Sequence, residues 1–262
     1  MNIIKNLRKY VDSAGIDVSF LLNSVMGLPD YIKNYRIFKK LASSHTNIFA
    51  WGAIYPCPAD RKEQSGVASG PYFHQDLLVA SRVFSNNPLR HVDIGSRVDG
   101  FVAHVASFRE IEVFDIRSMR NDIPNIRFVQ ADIMSSSFSL DGYCDSVSSL
   151  HAIEHFGLGR YGDPLDFFGY KKGLDNIYRI LKPGGKFYFS VPIGPQRIEF
   201  DAHRVFSVEY LLDIFKDIYR LDSFSFVDDA GNLHADVQVT ANEAAVSFGC
   251  SYGCGIFELT KL

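Results

Sequence analysis

From residue 90 onward, short strand-like runs alternate with longer stretches in which apolar residues recur every three or four positions. The runs of the first kind are RHVDIGS, IEVFDI, IRFVQADI, CDSVSSL and KFYFSVP. Their length predicts short strands. Among the longer stretches, DGFVAHVASF sets Phe101, Val105 and Phe108 on one helical face. YKKGLDNIYRILKPGG turns Leu174, Ile177, Ile180 and Leu181 inward and stops at Pro-Gly-Gly, and SVEYLLDIFKDI starts behind a Ser207 N-cap. Two late runs, RLDSFSFVDD and CGIFELTKL, predict strands with no clear helix between them, so one of the pair runs antiparallel. This alternation predicts a doubly wound α/β domain. Its sheet is mainly parallel and seven-stranded, with one antiparallel strand and right-handed crossovers.

The chain before residue 89 has a different texture. Residues 1 to about 48 carry a helical pattern, clearest in LPDYIKNYRIFKKLAS, where Tyr31, Ile32, Tyr35, Phe38 and Leu41 are helically spaced. A turn-rich piece broken by Pro56, Pro58, Gly66 and Gly70 follows, and HQDLLVASRVF is helical again. These features define an N-terminal helical cap over 1–88 and a main domain over 89–262.

Composition narrows the class. The chain has 262 residues, 47% of them hydrophobic, enough to bury a sizeable core. Lys and Arg number 27 against 30 Asp and Glu, with no long basic run, so nothing points to nucleic acid. No apolar run approaches the roughly 18 residues of a membrane span, and the opening MNIIKNLRKYVDSAGIDVSFLL lacks a signal-peptide cleavage site. Cys57 and Cys144 stand alone, and Cys250 and Cys254 form a single C-x3-C without a second pair. This is the pattern of reduced thiols in a cytoplasmic protein rather than a zinc site.

In a sheet of this type, ligands bind beyond the carboxyl ends of the strands. The first strand-to-helix turn reads DIGSRVDGF, where Gly95 permits a tight turn and Gly100 close packing. A P-loop is excluded because Phe101 stands where the lysine belongs, and Arg97 occupies the second glycine of a dinucleotide fingerprint. Asp115 ends the second strand 20 residues after Gly95, a spacing suited to ribose hydroxyls. Asp132 ends the third, where a carboxylate can accept from an adenine amino group. Both S-adenosylmethionine and a nicotinamide dinucleotide remain open on this spacing. The alternative for each aspartate is a plain strand end.

The fourth strand runs into His151-Ala152-Ile153-Glu154-His155. As H-x-x-E-H on a helix, these residues would form a zinc-peptidase site. A strand end gives the two histidines no shared helix face and no nearby third ligand follows, so we expect no metal there. The glycine-rich FGLGRYGDP contributes Arg160, Tyr161 and Asp163, and FDAHRVF after the fifth strand contributes His203 and Arg204. Loops of this kind carry specificity. Either arginine could clamp an anion, the alternatives being an Arg160–Asp163 salt bridge and an exposed turn at 203–204. His74, in YFHQD, is a candidate to close over the site.

The elements HVDIGS, EVFDI, FVQADI, CDSVSSLHAIEH and ILKPGGKFYFSVP resemble those of class I S-adenosylmethionine-dependent methyltransferases over roughly residues 88–262. Of the usual acidic-x-G-x-G-x-G turn, only the first glycine is kept. DIGSRVDGFVAH, EHFGLGRYGDP and FDAHRVFS are similar to a poorly characterised bacterial group often associated with surface-polysaccharide loci. The resemblance implies a Rossmann-like fold and methyl transfer to oxygen on a small polar acceptor such as a sugar or sugar phosphate. It implies cofactor contacts from Asp93, Gly95, Ser96, Arg97, Asp115, Ile116, Asp132, Ile133, Leu150 and His151. Acceptor contacts would come from Arg160, Tyr161, Arg204 and His74. His155 would be the base, since imidazole is suited to taking a hydroxyl proton. His203 is its competitor, and Glu154 holds a loop or a histidine. The rival classes are a nicotinamide-dependent sugar-modifying enzyme and a methyltransferase fold retained for binding or assembly.

Overall fold

A computed structural model describes residues 15–43, 49, 51–63, 65–120 and 122–262. The helical pattern expected at 1–14 and 44–48 lies outside them. The chain divides into two compact units, Met1–Val67 and Ala68–Leu262.

In the first unit, α1 (Val18–Ala42) begins where the Asp17 carboxylate accepts from the Phe20 N–H at 2.9 Å. Gly27 is required because a Cβ there would overlap the Pro58 carbonyl. Asp30 pairs with Arg61 at 2.8 Å, and Trp51 sets its ring edge-on to Tyr35 and Phe38.

The second unit opens with α2 (Pro71–Asn86), whose proline occupies the first helical turn, where its missing N–H costs nothing. The strands follow as β1 (His91–Ile94), β2 (Ile111–Asp115), β3 (Ile126–Gln130), β4 (Cys144–Leu150) and β5 (Leu181–Ile193). After these come β6 (Arg197–Glu199), β7 (His203–Val205), β8 (Tyr219–Val227), β9 (Leu233–His234) and β10 (Gly253–Lys261). The main sheet has eight strands in the order β3-β2-β1-β4-β5-β10-β8-β9. All seven strands expected from the sequence are in it, and the eighth is the two-residue edge strand β9. β1 to β5 are parallel, and β10 runs antiparallel to both neighbours. This is a Rossmann-like α/β fold, with the antiparallel last strand inserted between β5 and β8.

Every residue of β1 and β2 is buried, the polar His91, Asp93, Glu112 and Asp115 included. Asp145, near the start of β4, accepts from the Leu89 and Arg90 N–H groups, both at 2.7 Å, and so sets the entry of β1 beside β4. The helices are α3 (Ala103–Ala106), α4 (Gly169–Ile180), α5 (Val208–Phe215) and α6 (Ala241–Ala245). α3 is shorter than its pattern suggests. An irregular turn takes up Val98–Val102, and although Phe101 and Val105 are buried, Phe108 is exposed. Ser207 caps α5 by accepting from the Tyr210 N–H at 3.2 Å. The FDAHRVF segment is not a free turn: β6 and β7 form a separate two-stranded ribbon.

Candidate functional site

A cavity of about 320 Å³ lies over the carboxyl ends of β1 to β4, within the size range of ligand pockets. Gly95 leaves β1 at φ +71°, a left-handed conformation that favours glycine, and an added Cβ would press on Ala152 at 3.1 Å. Asp93 does not reach the cavity. It is fully buried and accepts from the Ser96 N–H at 2.9 Å and from the Ser96 and Ser148 hydroxyls at 2.7 and 2.5 Å. Burial pushes its carboxyl up to about 7, against the pull of those hydrogen bonds. Ser96 in turn accepts from the Leu150 N–H at 3.0 Å. Asp93, Ser96 and Leu150 therefore brace the turn from beneath, and a serine network holds the shape that the missing glycines leave open.

Gly95, Asp115, Ile116, Asp132 and Ile133 all line the cavity. The Asp115 carboxylate is engaged by Arg117, which donates from its N–H and Nε to Oδ1 at 2.8 and 2.9 Å and from Nη2 to Oδ2 at 2.5 Å. Asp132 Oδ1 accepts from the Met134 N–H at 2.8 Å, and Asn176 of α4 secures the same turn by donating to the Ile133 carbonyl at 2.7 Å. Arg97 lines the opening, paired with Asp99 at 2.7 Å and lying over the Tyr72 ring.

On the other side, β4 delivers His151 and His155. His151 closes the strand with φ +50°, and Ile153–His155 form a single 3-10 turn, so the H-x-x-E-H residues lie on no common helix. Among the described residues no cluster of three His, Cys, Asp or Glu side chains is placed to hold a metal ion. Both histidines line the cavity. Nδ1 of His151 lies 2.8 Å from Gln75 Oε1, and Nδ1 of His155 lies 2.6 Å from the Ala202 carbonyl. Burial holds the two imidazoles down, His151 to about 3 and His155 to about 4. Glu154 is 1% exposed and raised to about 8 by the same cause. Its contact with His155, 3.6 Å from Oε1 to Nε2, therefore joins two uncharged groups at neutral pH, and Oε2 has no hydrogen-bond partner among the described residues.

Arg160 and Tyr161 line the cavity from the glycine-rich loop. Arg160 does not pair with Asp163. It donates to the Ala202 carbonyl at 2.9 Å and meets no carboxylate among the described residues. Asp163 instead shapes the loop by accepting from the N–H groups of Gly157 at 2.7 Å and Tyr161 at 3.2 Å. Arg204 lies away from the cavity, 5% exposed. It donates to the carbonyls of Phe156, Phe167 and Glu154 at 2.6, 3.1 and 3.4 Å, which ties the loop to β7. His203 also lies outside the cavity lining, with Nε2 3.4 Å from Glu199, and so does His74, whose ring stands against Phe73.

Sequence reasoning missed Arg117, Tyr72 and Gln75. Arg117 had a signal, two residues past Asp115. Tyr72 and Gln75 come from the first turns of α2, remote in sequence, and no motif marks them.

A comparison with curated proteins finds no match. Solved structures that resemble this chain include the N-methyltransferase NodS from Bradyrhizobium japonicum WM9 with S-adenosyl-L-homocysteine, 14% identical over 73% of this chain and 88% of that one, TM-score 0.46. Another is the Burkholderia thailandensis 1,6-didemethyltoxoflavin N1-methyltransferase, 13% identical over 71% and 78%, TM-score 0.48. A third is the cyclase SpnF, 15% identical over 72% and 80%, TM-score 0.49. A family profile described as "Caenorhabditis protein of unknown function, DUF268" matches residues 100–246, more than half of the sequence, and the chain belongs to that family.

Proposed function

We propose that the protein is an S-adenosylmethionine-dependent methyltransferase acting on a hydroxyl oxygen of a small polar acceptor. One observation carries this reading. In the order β3-β2-β1-β4, a single cavity runs across the four strand ends and meets Asp132, Asp115, Gly95 and His151 in turn. The residues fit the cofactor. Asp115 and Asp132 offer acceptors for ribose and adenine donors, and no side chain at Gly95 blocks close approach. When bound, the cofactor supplies an electrophilic methyl group on sulfur. His151 and His155, both neutral and each with Nδ1 at a protein acceptor, are the two candidates to take the acceptor's proton, and the base expected from the sequence, His155, is one of them.

The acceptor class is a sugar or sugar phosphate in polysaccharide biosynthesis, in the cytoplasm. Support comes from Arg160, a cavity-lining cation with no carboxylate partner among the described residues, from the aromatic rings of Tyr161 and Tyr72, and from the motif resemblance. A second reading, a fold kept for binding, draws on the Arg117 clamp that already engages Asp115. Calorimetric titration with S-adenosylmethionine, S-adenosylhomocysteine and NAD tests both. The proposal expects the two sulfur compounds to bind and NAD not to. Binding of NAD alone overturns it for a nicotinamide enzyme, and binding of none favours the second reading.

A further inference from the structure

We infer that Gln75 is a positioning residue that fixes His151 as its Nδ1–H tautomer, so that a bare Nε2 faces the cavity and receives the acceptor's proton. This inference rests on the methyltransferase reading above. Gln75 is 1% exposed, and the carboxylate beside it assigns the orientation of its amide. Its Nε2 donates to Asp76 Oδ1 at 3.1 Å. Asp76 is itself held close over Gly100, where a Cβ would strike its Oδ2. That leaves Oε1 toward the site, and it accepts from the Ser190 hydroxyl at 2.6 Å. An acceptor 2.8 Å from His151 Nδ1 is compatible only with a proton on that nitrogen. The Cys254 thiol makes a longer contact with the same oxygen at 3.7 Å.

The imidazole is thus held from behind by side chains of α2, β5 and β10. Its Nε2 has no hydrogen-bond partner among the described residues, whereas Nε2 of His155 faces Glu154. His151 also sits in the left-handed region at φ +50°, strain that a surrounding structure maintains where it serves a site. The Tyr72 ring, 5.2 Å away, packs against it.

The chemistry balances. As the acceptor oxygen bonds to the methyl carbon, the carbon–sulfur pair returns to sulfur and the hydroxyl proton passes to His151 Nε2. The imidazolium later releases that proton to water. An oxygen that is gaining a methyl group is strongly acidic, so a weak base is sufficient.

The test is two-bond 1H–15N correlation on protein labelled with 15N-histidine, with S-adenosylhomocysteine as the probe ligand. Wild type should show His151 protonated at Nδ1 and bare at Nε2, before and after saturation. Gln75→Leu should lose that single tautomer, and Gln75→Glu, which keeps an acceptor, should retain it. The Kd for S-adenosylhomocysteine should stay within about twofold in both variants, because ribose and adenine contacts lie on other strands. A proton on Nε2 in the wild type overturns the inference without any variant having to fold, and so does a tautomer unchanged in Gln75→Leu. If the wild type does not bind S-adenosylhomocysteine, the methyltransferase reading falls and the base role with it, while the tautomer remains a measured fact.

Discussion

The two halves of the cavity deal with charge in opposite ways. Across β1 to β3, charged groups are matched locally: Arg117 with Asp115, Arg97 with Asp99. Beyond β4, burial strips charge from the three titratable side chains that β4 delivers, while Arg160 remains a cation. His151 and His155 are held neutral, and Glu154 is raised until it keeps its proton at neutral pH. On the methyltransferase reading proposed above, the first half would be the recognition half, and the second, the reaction half, would offer bare lone pairs to the proton of a neutral hydroxyl. There the proton must go to a group that is free to take it.

Substitutions in the reaction half give the sharpest contrast. Once an acceptor is in hand, His151→Ala should lower kcat by about 10²–10⁴-fold with little change in cofactor affinity. His155→Ala should cost less, and His203→Ala, outside the cavity, least. If His155→Ala falls furthest, the base moves to His155 and Gln75 loses its role.

Arg204→Met should break the loop between the halves. It removes the donor to the half-buried carbonyls of Phe156 and Phe167, at a cost of roughly 1 kcal/mol each. Denaturant unfolding should register that loss while affinity for S-adenosylhomocysteine stays near wild type. Equal losses in both would mean the halves are not separable.

In the recognition half, Asp115→Ala should weaken cofactor binding by roughly 1.5–3 kcal/mol, the worth of hydrogen bonds to a charged group. An unchanged affinity would remove Asp115 from the ribose site. Because Arg117 already holds both carboxylate oxygens, part of that energy is spent displacing it, and Arg117→Ala should bind more tightly than wild type.

The last contrast is in stability against pH. Glu154 and Asp93, raised to about 8 and 7, keep their protons in the folded chain after the unfolded chain has lost them. Each carboxyl should therefore cost stability as pH rises from its unfolded value of about 4 to its folded one, about 8 for Glu154 and about 7 for Asp93, by about 1.4 kcal/mol per unit. The buried histidines have the opposite sign. Their depressed values favour folding above the unfolded His pKa, and that advantage is lost as pH falls toward 4. Denaturation of Glu154→Gln across pH 6 to 9 should show a shallower alkaline decline than wild type, and identical slopes would refute the raised carboxyl.

What the amino-acid order decided is whatever rests on neighbours in sequence. The seven strand patterns, the Ser207 cap, the Gly95 turn and the placement of Asp115 and Asp132 at strand ends were all legible. Each depends on a local period or on one residue's backbone freedom. The brace of Asp93 by Ser148, the capture of Arg204 by the loop before α4, and the arrival of Tyr72 and Gln75 from α2 were not. These partners lie tens of residues apart, so no spacing announces them, and the same Arg204 that reads as an anion clamp in a turn becomes a buried donor once β7 carries it under three carbonyls. The protonation states that separate the two halves belong to this second group, because a pKa is set by burial and by which groups fold against it, and only the packed chain determines either.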